Sequence, residues 1–259
     1  MDHELLAGTT AHYRDPDYYT KTYQRRLDDV RYYVDIAAAS GGPVLEYGCG
    51  NGRILLPVAR RGVTAWGVDL SEAMLTDLER KLLQEPESVR ARVKAKHGDM
   101  RKVRLGKRFP LIACPFNTFL HLYERADVER FLAKVKSHLA PKGTFVLDIS
   151  IPDPSELSRS PQRGYRGAPF SYPGVGKVRY VERFDYDGPR QILFVSMEFE
   201  DERGQAWMTP LAHRQFYPRE LEALLHYNGF KIIAQYGGFD GSPLGPDSDT
   251  LIVHARAVK

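Results

Sequence analysis

The sequence predicts an α/β fold built on a doubly wound, mainly parallel sheet, with an antiparallel β region inserted late in the chain. Three observations lead to this prediction. Strand-like and helix-like segments alternate five times between about residues 43 and 149. A glycine-rich stretch, VLEYGCGNGR (44–53), joins the first strand to the first helix of that series. After Ile151 the alternation gives way to a Pro-, Gly-, Ser- and Arg-rich stretch and then to three consecutive strand-like runs.

The leading helix is predicted over residues 19–39, where apolar and aromatic residues recur at helical spacing before the stop signal SGGP. Short apolar runs then predict five strands, over residues 43–47, 64–69, 93–97, 109–115 and 144–149. Helices are predicted at 53–61, after Ser71 as an N-cap, and at 126–139. Right-handed crossovers between such strands produce a parallel sheet with helices on both faces.

Ligands of such sheets bind at the carboxyl ends of the strands, near the point where the strand order reverses. The glycine-rich stretch, Asp69, Asp99 and the segment after the fourth strand all fall at those ends. The sequence therefore predicts one ligand site at this edge of the sheet.

The second half of the chain predicts an irregular loop over 152–176 and an antiparallel meander of strands over 178–186, 191–200 and 207–217. A helix over 218–227 and strands over 230–236 and 250–258 follow. The predicted boundaries are an N-terminal segment at 1–40, a core at 41–151, an inserted β region at 152–217 and a closing segment at 218–259.

Composition narrows the classes of function. The chain has 37 Lys and Arg against 33 Asp and Glu, and these charges are scattered except for RKVRLGKR (101–108), which we interpret as a solvated loop. Nucleic-acid binding is therefore not supported by the charge pattern. Cys49 and Cys114 have neither metal-ligand nor disulfide-framework spacing, so no metal is expected and a reducing, cytoplasmic setting fits. No run reaches the roughly 18 apolar residues of a membrane span, and no secretory leader is apparent.

The glycine-rich stretch carries the strongest chemical signal. Gly48, Gly50 and Gly52 stand at alternate positions, which lets the backbone turn with positive φ and lets a ligand lie against bare main chain. Glu46 precedes these glycines, and Asp69 ends the next strand. Carboxylates at two neighbouring strand ends suit a ligand with ribose hydroxyls and an amino-acid ammonium, as in S-adenosylmethionine (SAM).

The chain resembles the class I SAM-dependent methyltransferases, in their small-molecule, amine and amino-sugar N-methyltransferase-like branch. Four elements carry the resemblance: EYGCGNG (46–52), Asp69 at the end of the second strand, GDM (98–100), and LAPKGT (139–144) before the fifth strand. The resemblance covers residues 44–149. It implies a Rossmann-like, seven-stranded mixed sheet whose last strand is antiparallel, supplied by residues 230–236 and 250–258.

A nicotinamide-dependent dehydrogenase shares the order of strand, glycine loop, helix and acid. Its phosphate fingerprint is GxGxxG, whereas this chain has GxGxG ending at Gly52. Glu46 would also repel a diphosphate and attract an ammonium. The dehydrogenase interpretation is therefore rejected.

The resemblance implies roles for individual residues toward SAM and its product S-adenosylhomocysteine. Gly48 and Gly50 would pass under the methionine part, with Glu46 near its ammonium, and Asp69 would accept both ribose hydroxyls. The remaining implied contacts are Leu70 and Met74 along the adenine or ribose, Asp99 at the adenine amino group, Met100 through its backbone N–H, and Phe116 and Asn117 at the methionine end and the acceptor. As alternatives, Asp69 and Asp99 are helix N-caps and Met74 is a core residue.

Methyl transfer is an in-line displacement, so the protein needs to hold the two reactants close and collinear in a dry site. A general base is required only for an acceptor that is protonated at the working pH. The candidates for the acceptor site are His121 after the fourth strand, and His213, Arg214 and Tyr217 in LAHRQFYP, with His213 and Tyr217 predicted on one strand face. For His121, a place on a helix surface or in the core is an equal alternative.

The N-terminal segment is dense in tyrosine. In similar methyltransferases an N-terminal helix folds over SAM as a lid, which implies a lid at 1–40 with Tyr18 and Tyr23 lining the cofactor pocket. The alternative is that these rings dock the helix on its neighbours.

The function predicted is methyl transfer from SAM to a small-molecule acceptor, at nitrogen of an amine or amino sugar. O-methylation of a small metabolite, methylation of RNA or protein, and SAM binding without transfer remain alternatives. No membrane partner is expected, and the inserted β region offers a surface for a homodimer. The sequence does not identify the acceptor or the atom that is methylated.

Overall fold

A computed structural model of the protein describes residues 3–258. The described chain divides into two compact units. We call residues 26–151 and 216–258 the core unit, and residues 3–25 and 152–215 the inserted-sheet unit. None of the described helices is both long and apolar enough to cross a membrane.

The helices, numbered in chain order, are α1 His3–Thr10, α2 Pro16–Tyr23, α3 Asp28–Ala39, α4 Leu55–Arg60, α5 Glu72–Leu82, α6 Glu87–Arg90, α7 Arg125–His138, α8 Pro154–Leu157 and α9 Pro218–Tyr227. Two 3₁₀ turns lie at Ala11–Tyr13 and Thr118–His121.

The strands are β1 Val44–Tyr47, β2 Ala65–Asp69, β3 Val93–His97, β4 Phe109–Cys114, β5 Leu139–Ser150, β6 Tyr165–Arg166, β7 Phe170–Tyr172, β8 Gly176–Asp187, β9 Ile192–Asp201, β10 Ala206–Arg214, β11 Phe230–Tyr236 and β12 Thr250–Ala257.

The core unit contains a seven-stranded sheet in the order β11-β12-β5-β4-β1-β2-β3. β1 pairs in parallel with β2 and β4, whereas β12 is antiparallel to both β5 and β11. The predicted doubly wound mixed sheet, with its antiparallel last strand, is confirmed. The strand order reverses beside β1, so the loop after β1 lies at the switch point.

Both faces of this sheet are covered because its strands alternate between two cores. Along β4, Ile112 and Cys114 point to a core shared with Phe131 of α7, while Leu111 and Ala113 point to a second core. That second core includes Tyr33 of α3. Side chains at successive strand positions project to opposite faces, so an apolar strand of this kind requires helices on both sides.

The inserted-sheet unit is built on an antiparallel sheet in the order β10-β9-β8-β6, with β7 also paired to β8. Its own core joins Tyr18 of α2 to Tyr172, Val178, Met197 and Phe199. Helix α1 lies close on β10: a Cβ placed on Gly8 would stand 2.5 Å from the Cβ of Ala212.

Four predicted elements differ from the structure. The strand predicted over 144–149 begins at Leu139, so LAPKG (139–143) is part of β5 and does not precede it. The single helix over 19–39 is two helices, α2 and α3, because Tyr18 and Tyr19 of α2 are buried in the inserted-sheet unit whereas Tyr33 of α3 is buried in the core unit. The predicted loop over 152–176 contains α8, β6 and β7. The predicted strand over 207–217 ends at Arg214, because Pro218 fixes the first turn of α9.

Candidate functional site

The glycine loop leaves β1 at the carboxyl edge of the core sheet. Gly48 and Gly50 have φ of 70° and 52°, in the left-handed region that favours glycine. A Cβ on Gly48 would stand 2.4 Å from Thr118 Oγ1, and one on Gly50 would stand 3.1 Å from Met74 Cε. The loop is thus held against the first residue of the 3₁₀ turn on one side and against α5 on the other.

Asp69 ties the end of β2 to this loop. Its Oδ2 accepts a hydrogen bond from the Gly50 amide at 2.7 Å, and its Oδ1 accepts one from the Ser71 amide at 2.8 Å. Burial raises the pKa of Asp69, while these backbone donors act in the opposite direction. Because a carboxylate has about four acceptor sites, Asp69 keeps acceptor capacity beyond its backbone donors, which include the Leu70 amide.

Glu46 is the unusual group of the site. Its side chain is buried, and within the described residues its Oε2 has no hydrogen-bond partner. Burial raises the pKa of Glu46 well above its usual range, although Arg53 acts in the opposite direction. A buried unpartnered carboxylate oxygen is costly, so an ammonium group placed there would be strongly stabilised.

Two arginines lie over the Phe116 ring in a cluster that sequence analysis missed, and one of them, Arg53, acts on Glu46 through its charge. The Arg53 guanidinium binds the buried carboxylate of Asp29 through both of its oxygens, with the Nη1–Oδ1 distance at 3.0 Å. Arg53 and Arg26 also stack on the ring of Phe116, at 4.5 Å and 4.9 Å from its centroid. The position of Arg53 directly after Gly52 was a signal in the sequence. Its partner Asp29 was missed because it lies in a segment predicted to be a lid.

The segment after β4 is held by a second missed residue, Asp148 near the end of β5. The Phe116 amide donates to both carboxylate oxygens of Asp148 at 3.0 Å, and the Tyr33 hydroxyl donates to Oδ1 at 2.6 Å. Burial raises the pKa of Asp148 to about 6. The strand sequence TFVLDI carried a signal, since Asp148 is a third acid near the end of a central strand.

Asn117 completes this edge. Its Oδ1 accepts a hydrogen bond from the Ser150 amide at 2.7 Å, and its Nδ2 donates to Ser150 Oγ at 3.0 Å. Phe116 and Asn117 both have positive φ, of 53° and 62°, which turns the chain sharply into the 3₁₀ turn. The predicted residues after the fourth strand therefore form a rigid corner next to the glycine loop.

Asp99 lies at the end of the neighbouring strand and already has partners. Its carboxylate accepts hydrogen bonds from the Arg101 amide at 2.8 Å and from the Arg101 side chain, which also pairs with Asp127. Burial would raise the pKa of Asp99, but the hydrogen bonds from Arg101 outweigh it and the pKa is lowered. This geometry is compatible with both roles weighed for Asp99, namely the cap of a turn through the Arg101 amide and a contact with a ligand.

The remaining predicted cofactor residues of the core unit differ in exposure. Met74 is buried, Met100 is partly buried against the core, and Leu70 is 43% exposed. Ser71 caps α5 as predicted, since its Oγ accepts from the Met74 amide. Met74 is a buried core residue whose Cε would lie 3.1 Å from a Cβ on Gly50, and its contact with the cofactor stays a prediction.

The predicted acceptor residues fall into different parts of the molecule. His121 ends the 3₁₀ turn, with its Nδ1 3.4 Å from the Tyr123 hydroxyl. Tyr217 lies in the core unit and is 40% exposed, just before α9, so the prediction that it shares a strand face with His213 is wrong. His213 and Arg214 lie on β10 of the inserted-sheet unit, where as neighbours they point to opposite faces.

Tyr18 and Tyr23 also belong to the inserted-sheet unit. The ring of Tyr18 stacks on that of Tyr172 at 4.8 Å, and the hydroxyl of Tyr23 lies 3.1 Å from His12 Nε2. Their docking role is therefore visible, and their cofactor role stays a prediction.

The structure thus brings together, at one edge of the core sheet, the predicted residues Glu46, Gly48, Gly50, Asp69, Met74, Phe116 and Asn117. These residues fit SAM on two observations: the unpartnered oxygen of Glu46 and a loop whose glycines leave no space for side chains.

Comparison with known proteins agrees with this geometry. A family described as "Methyltransferase domain" matches residues 44–143. Over 128 residues the chain is 30% identical to dTDP-3-amino-3,6-dideoxy-alpha-D-glucopyranose N,N-dimethyltransferase of Streptomyces fradiae; the match covers 49% of this chain and 47% of that protein, about half of the length of each. Over 218 residues it is 27% identical to the cypemycin N-terminal methyltransferase of Streptomyces sp, covering 82% of each protein.

Among solved structures, the CcbJ methyltransferase from Streptomyces caelestis superposes with a TM-score of 0.80. The two share 24% identity, and the match covers 97% of this chain and 99% of that one. At this identity the likeness shows a shared fold.

Proposed function

We propose that this protein, which contains a class I SAM-dependent methyltransferase domain, transfers a methyl group from SAM to a nitrogen atom of a small-molecule acceptor. The observation that carries the cofactor assignment is the buried, unpartnered Oε2 of Glu46 beside the glycine loop. That oxygen requires a cationic donor, and the ammonium of the methionine moiety is one.

The core unit supplies a partner for each charged or polar part of SAM. Glu46 would bind the ammonium, and Arg26 and Arg53, which flank Phe116, would favour the carboxylate. The free acceptor sites of Asp69 would take the ribose hydroxyls. Gly48 and Gly50 would let the methionine part pass along the main chain.

At the adenine end, the Asp99 carboxylate is already bound by the Arg101 amide and side chain, so it would exchange one of these donors for the adenine amino group, while Met100 offers its backbone N–H. Leu70 and Met74 would cover the adenine or ribose with apolar surface.

When bound, SAM supplies an electrophilic methyl group on a sulfonium. The chain's own contribution is to fix the cofactor and acceptor and to exclude water. The corner at Phe116 and Asn117 is rigid because Asp148 and Ser150 hold its backbone and side chain. An amine acceptor that is protonated must lose a proton before it attacks, and His121 at the end of the 3₁₀ turn is the candidate of the core unit for that role.

Nitrogen is favoured over oxygen because the two curated relatives described above are both named for methyl transfer to nitrogen, on an amino sugar and on a peptide N-terminus. A free amine is the chemistry that these acceptors share. His213, Arg214 and Tyr217 stay candidates for the acceptor site. A homodimer through the inserted-sheet unit is part of the same proposal and is tested by the mass of the protein in solution.

The decisive experiment measures S-adenosylhomocysteine release with a panel of amino sugars, small amines, phenols and peptides with a free N-terminus. Mass spectrometry of each product locates the added methyl group. We expect turnover with amines and a methyl group on nitrogen. A product methylated only on oxygen would overturn the acceptor assignment, and SAM binding without turnover across the panel would favour a non-catalytic SAM-binding protein.

A further inference from the structure

A basic groove lies in the core unit, apart from the site described above. It has a volume of about 370 Å³ and is lined by the β3–β4 loop and the end of α7. We call it the basic groove and define it by Arg104, Lys107, Arg108, Lys134, Ser137 and His138. Among the described residues, none that lines it is acidic.

The groove and the glycine loop are at opposite edges of the sheet. β1 and β4 run in parallel, and the glycine loop follows the carboxyl end of β1. Arg108 immediately precedes Phe109, the first residue of β4, so the groove lies at the amino edge. A ligand of the groove is therefore a second ligand, separate from SAM.

The charges of the groove are uncompensated. Within residues 3–258, none of Arg104, Lys107, Arg108 and Lys134 takes part in a salt bridge, whereas most other arginines near the core are paired with an acid. Lys134 in the last turns of α7 complements the helix dipole. Arg108 also serves this helix end, by donating to the carbonyl of its C-cap residue Leu139, but crowding these cations together without acids is unfavourable unless an anion joins them.

The groove is also held in shape. Arg108 Nη1 donates to the Leu139 carbonyl at 3.2 Å, and Lys107 Nζ lies 5.5 Å from the centroid of Trp66. The Leu105 amide donates to His138 Nε2 at 3.3 Å, and His138 Nδ1 lies 2.7 Å from the Tyr47 hydroxyl. These contacts position the loop cations before any ligand arrives, which lowers the entropic cost of binding.

From this geometry we propose that the basic groove binds a small molecule through two or more adjacent phosphate groups. Arginine and lysine together suit phosphate oxygens, since arginine offers a fork of donors and lysine a point charge. The volume suits a ligand the size of a diphosphate with its attached group. Four cations are enough to compensate the negative charge of such a ligand.

The test uses the full chain and inorganic pyrophosphate at constant ionic strength, with binding followed by calorimetry. We expect saturable binding at one site, tighter than the binding of inorganic phosphate or sulfate. The double variant Lys107→Gln/Lys134→Gln should bind pyrophosphate at least 10-fold more weakly. The matched control Lys177→Gln/Lys231→Gln removes the same charge from exposed lysines elsewhere and should change the affinity less than twofold.

A local readout accompanies the affinity. Burial and the charge of Lys134 lower the pKa of His138. Pyrophosphate beside Lys134 should therefore raise the pKa of His138 in an NMR titration, and Arg104→Gln alone should weaken that response without affecting folding.

Three outcomes would overturn the proposal. One is that pyrophosphate does not bind. Another is that both double variants lose the same affinity for pyrophosphate, which would indicate that the overall charge of the protein attracts it. The last is that a short oligonucleotide binds the groove in preference to pyrophosphate, which would assign it to nucleic acid.

Discussion

Asp69 combines two tasks in one side chain, because the oxygens that hold the glycine loop are also those predicted to bind ribose. Asp69→Ala should weaken SAM binding by well over tenfold, since hydrogen bonds to a charged group contribute about 1.5–3 kcal/mol each. Calorimetric titration with SAM measures the change. Asp240→Ala removes a similar turn in an exposed loop, where Asp240 accepts from the Ser242 amide, and should leave the affinity unchanged. Equal affinity in Asp69→Ala would refute the ribose role.

Asp148 makes the stability of the core unit depend on pH. Its pKa is about 6 in the fold against 3.8 for the free side chain, so the folded state keeps a proton that the unfolded state loses. The contribution of this group to the free energy of unfolding is fully present below about pH 4 and is lost as the pH rises through about 6. At 1.36 kcal/mol per pKa unit, the loss is about 3 kcal/mol.

The variant Asp148→Asn should flatten this dependence. Denaturant unfolding of both proteins between pH 4 and 7 measures it, and Asp240→Asn is the control, because its carboxyl has a lowered pKa and titrates below this window. A steeper curve in Asp148→Asn would contradict the assignment of the titration.

The residues of the site were predictable from sequence to different degrees. Glu46 and the glycines lie in one short stretch, and Asp69 lies at the end of the neighbouring strand. At these positions the backbone conformation and the chemistry of the ligand select the same residue types. Asp29 and Asp148 were missed because their roles depend on partners far along the chain, Arg53 and Phe116. The residues next to each of these acids in the sequence do not indicate such distant partners.

At the scale of elements, the glycines before and after β1 show two separate constraints on a residue: the backbone conformation, and the space available for a side chain. Gly41 and Gly48 have nearly equal φ, 74° and 70°, but a Cβ on Gly41 would meet no atom of residues 3–258 within 4 Å. Gly41→Ala should cost about 1–2 kcal/mol for the left-handed conformation alone. Gly48→Ala should cost more, because its Cβ would clash with Thr118.

Adding Thr118→Ala removes the clashing Oγ1 and Cγ2 atoms and should recover part of the loss in Gly48→Ala, a coupling of roughly 0.5–3 kcal/mol. Chemical denaturation of the four proteins gives the free energies of unfolding. Strict additivity of Gly48→Ala and Thr118→Ala would show that the conformation of Gly48, and not its contact with Thr118, sets the constraint.

The parallel strands and α9 were predicted well because short strand-like runs, helical periodicity and proline or glycine stops are local signals. The break between α2 and α3 was not, since helical periodicity continues through residues 24–27. What divides the helix is the burial of its two halves in different cores, and periodicity does not report which core an apolar face meets.

At the scale of the whole molecule, the two units have separate cores, so each should respond to its own substitutions. Tyr18 is 5% exposed and lies among Tyr172 and Phe199 in the inserted-sheet unit. Tyr18→Ala should cost about 3–5 kcal/mol in that unit, as expected for a deleted core ring. Hydrogen exchange should then show faster exchange in β7–β9 and unchanged protection in β1, β4 and β5.

Met208→Ala is the control for that experiment, because Met208 lies in the same unit but is 53% exposed, and its loss should change stability by no more than about 0.5 kcal/mol. SAM affinity measured on the same samples separates the two roles weighed for Tyr18. A loss of protection in β7–β9 with SAM affinity retained would make Tyr18 a docking residue, whereas Tyr18→Phe with weaker SAM binding and full protection would make its hydroxyl part of the cofactor site. Uniform loss of protection across both units would contradict the separation of the cores and show that the chain unfolds as one cooperative body.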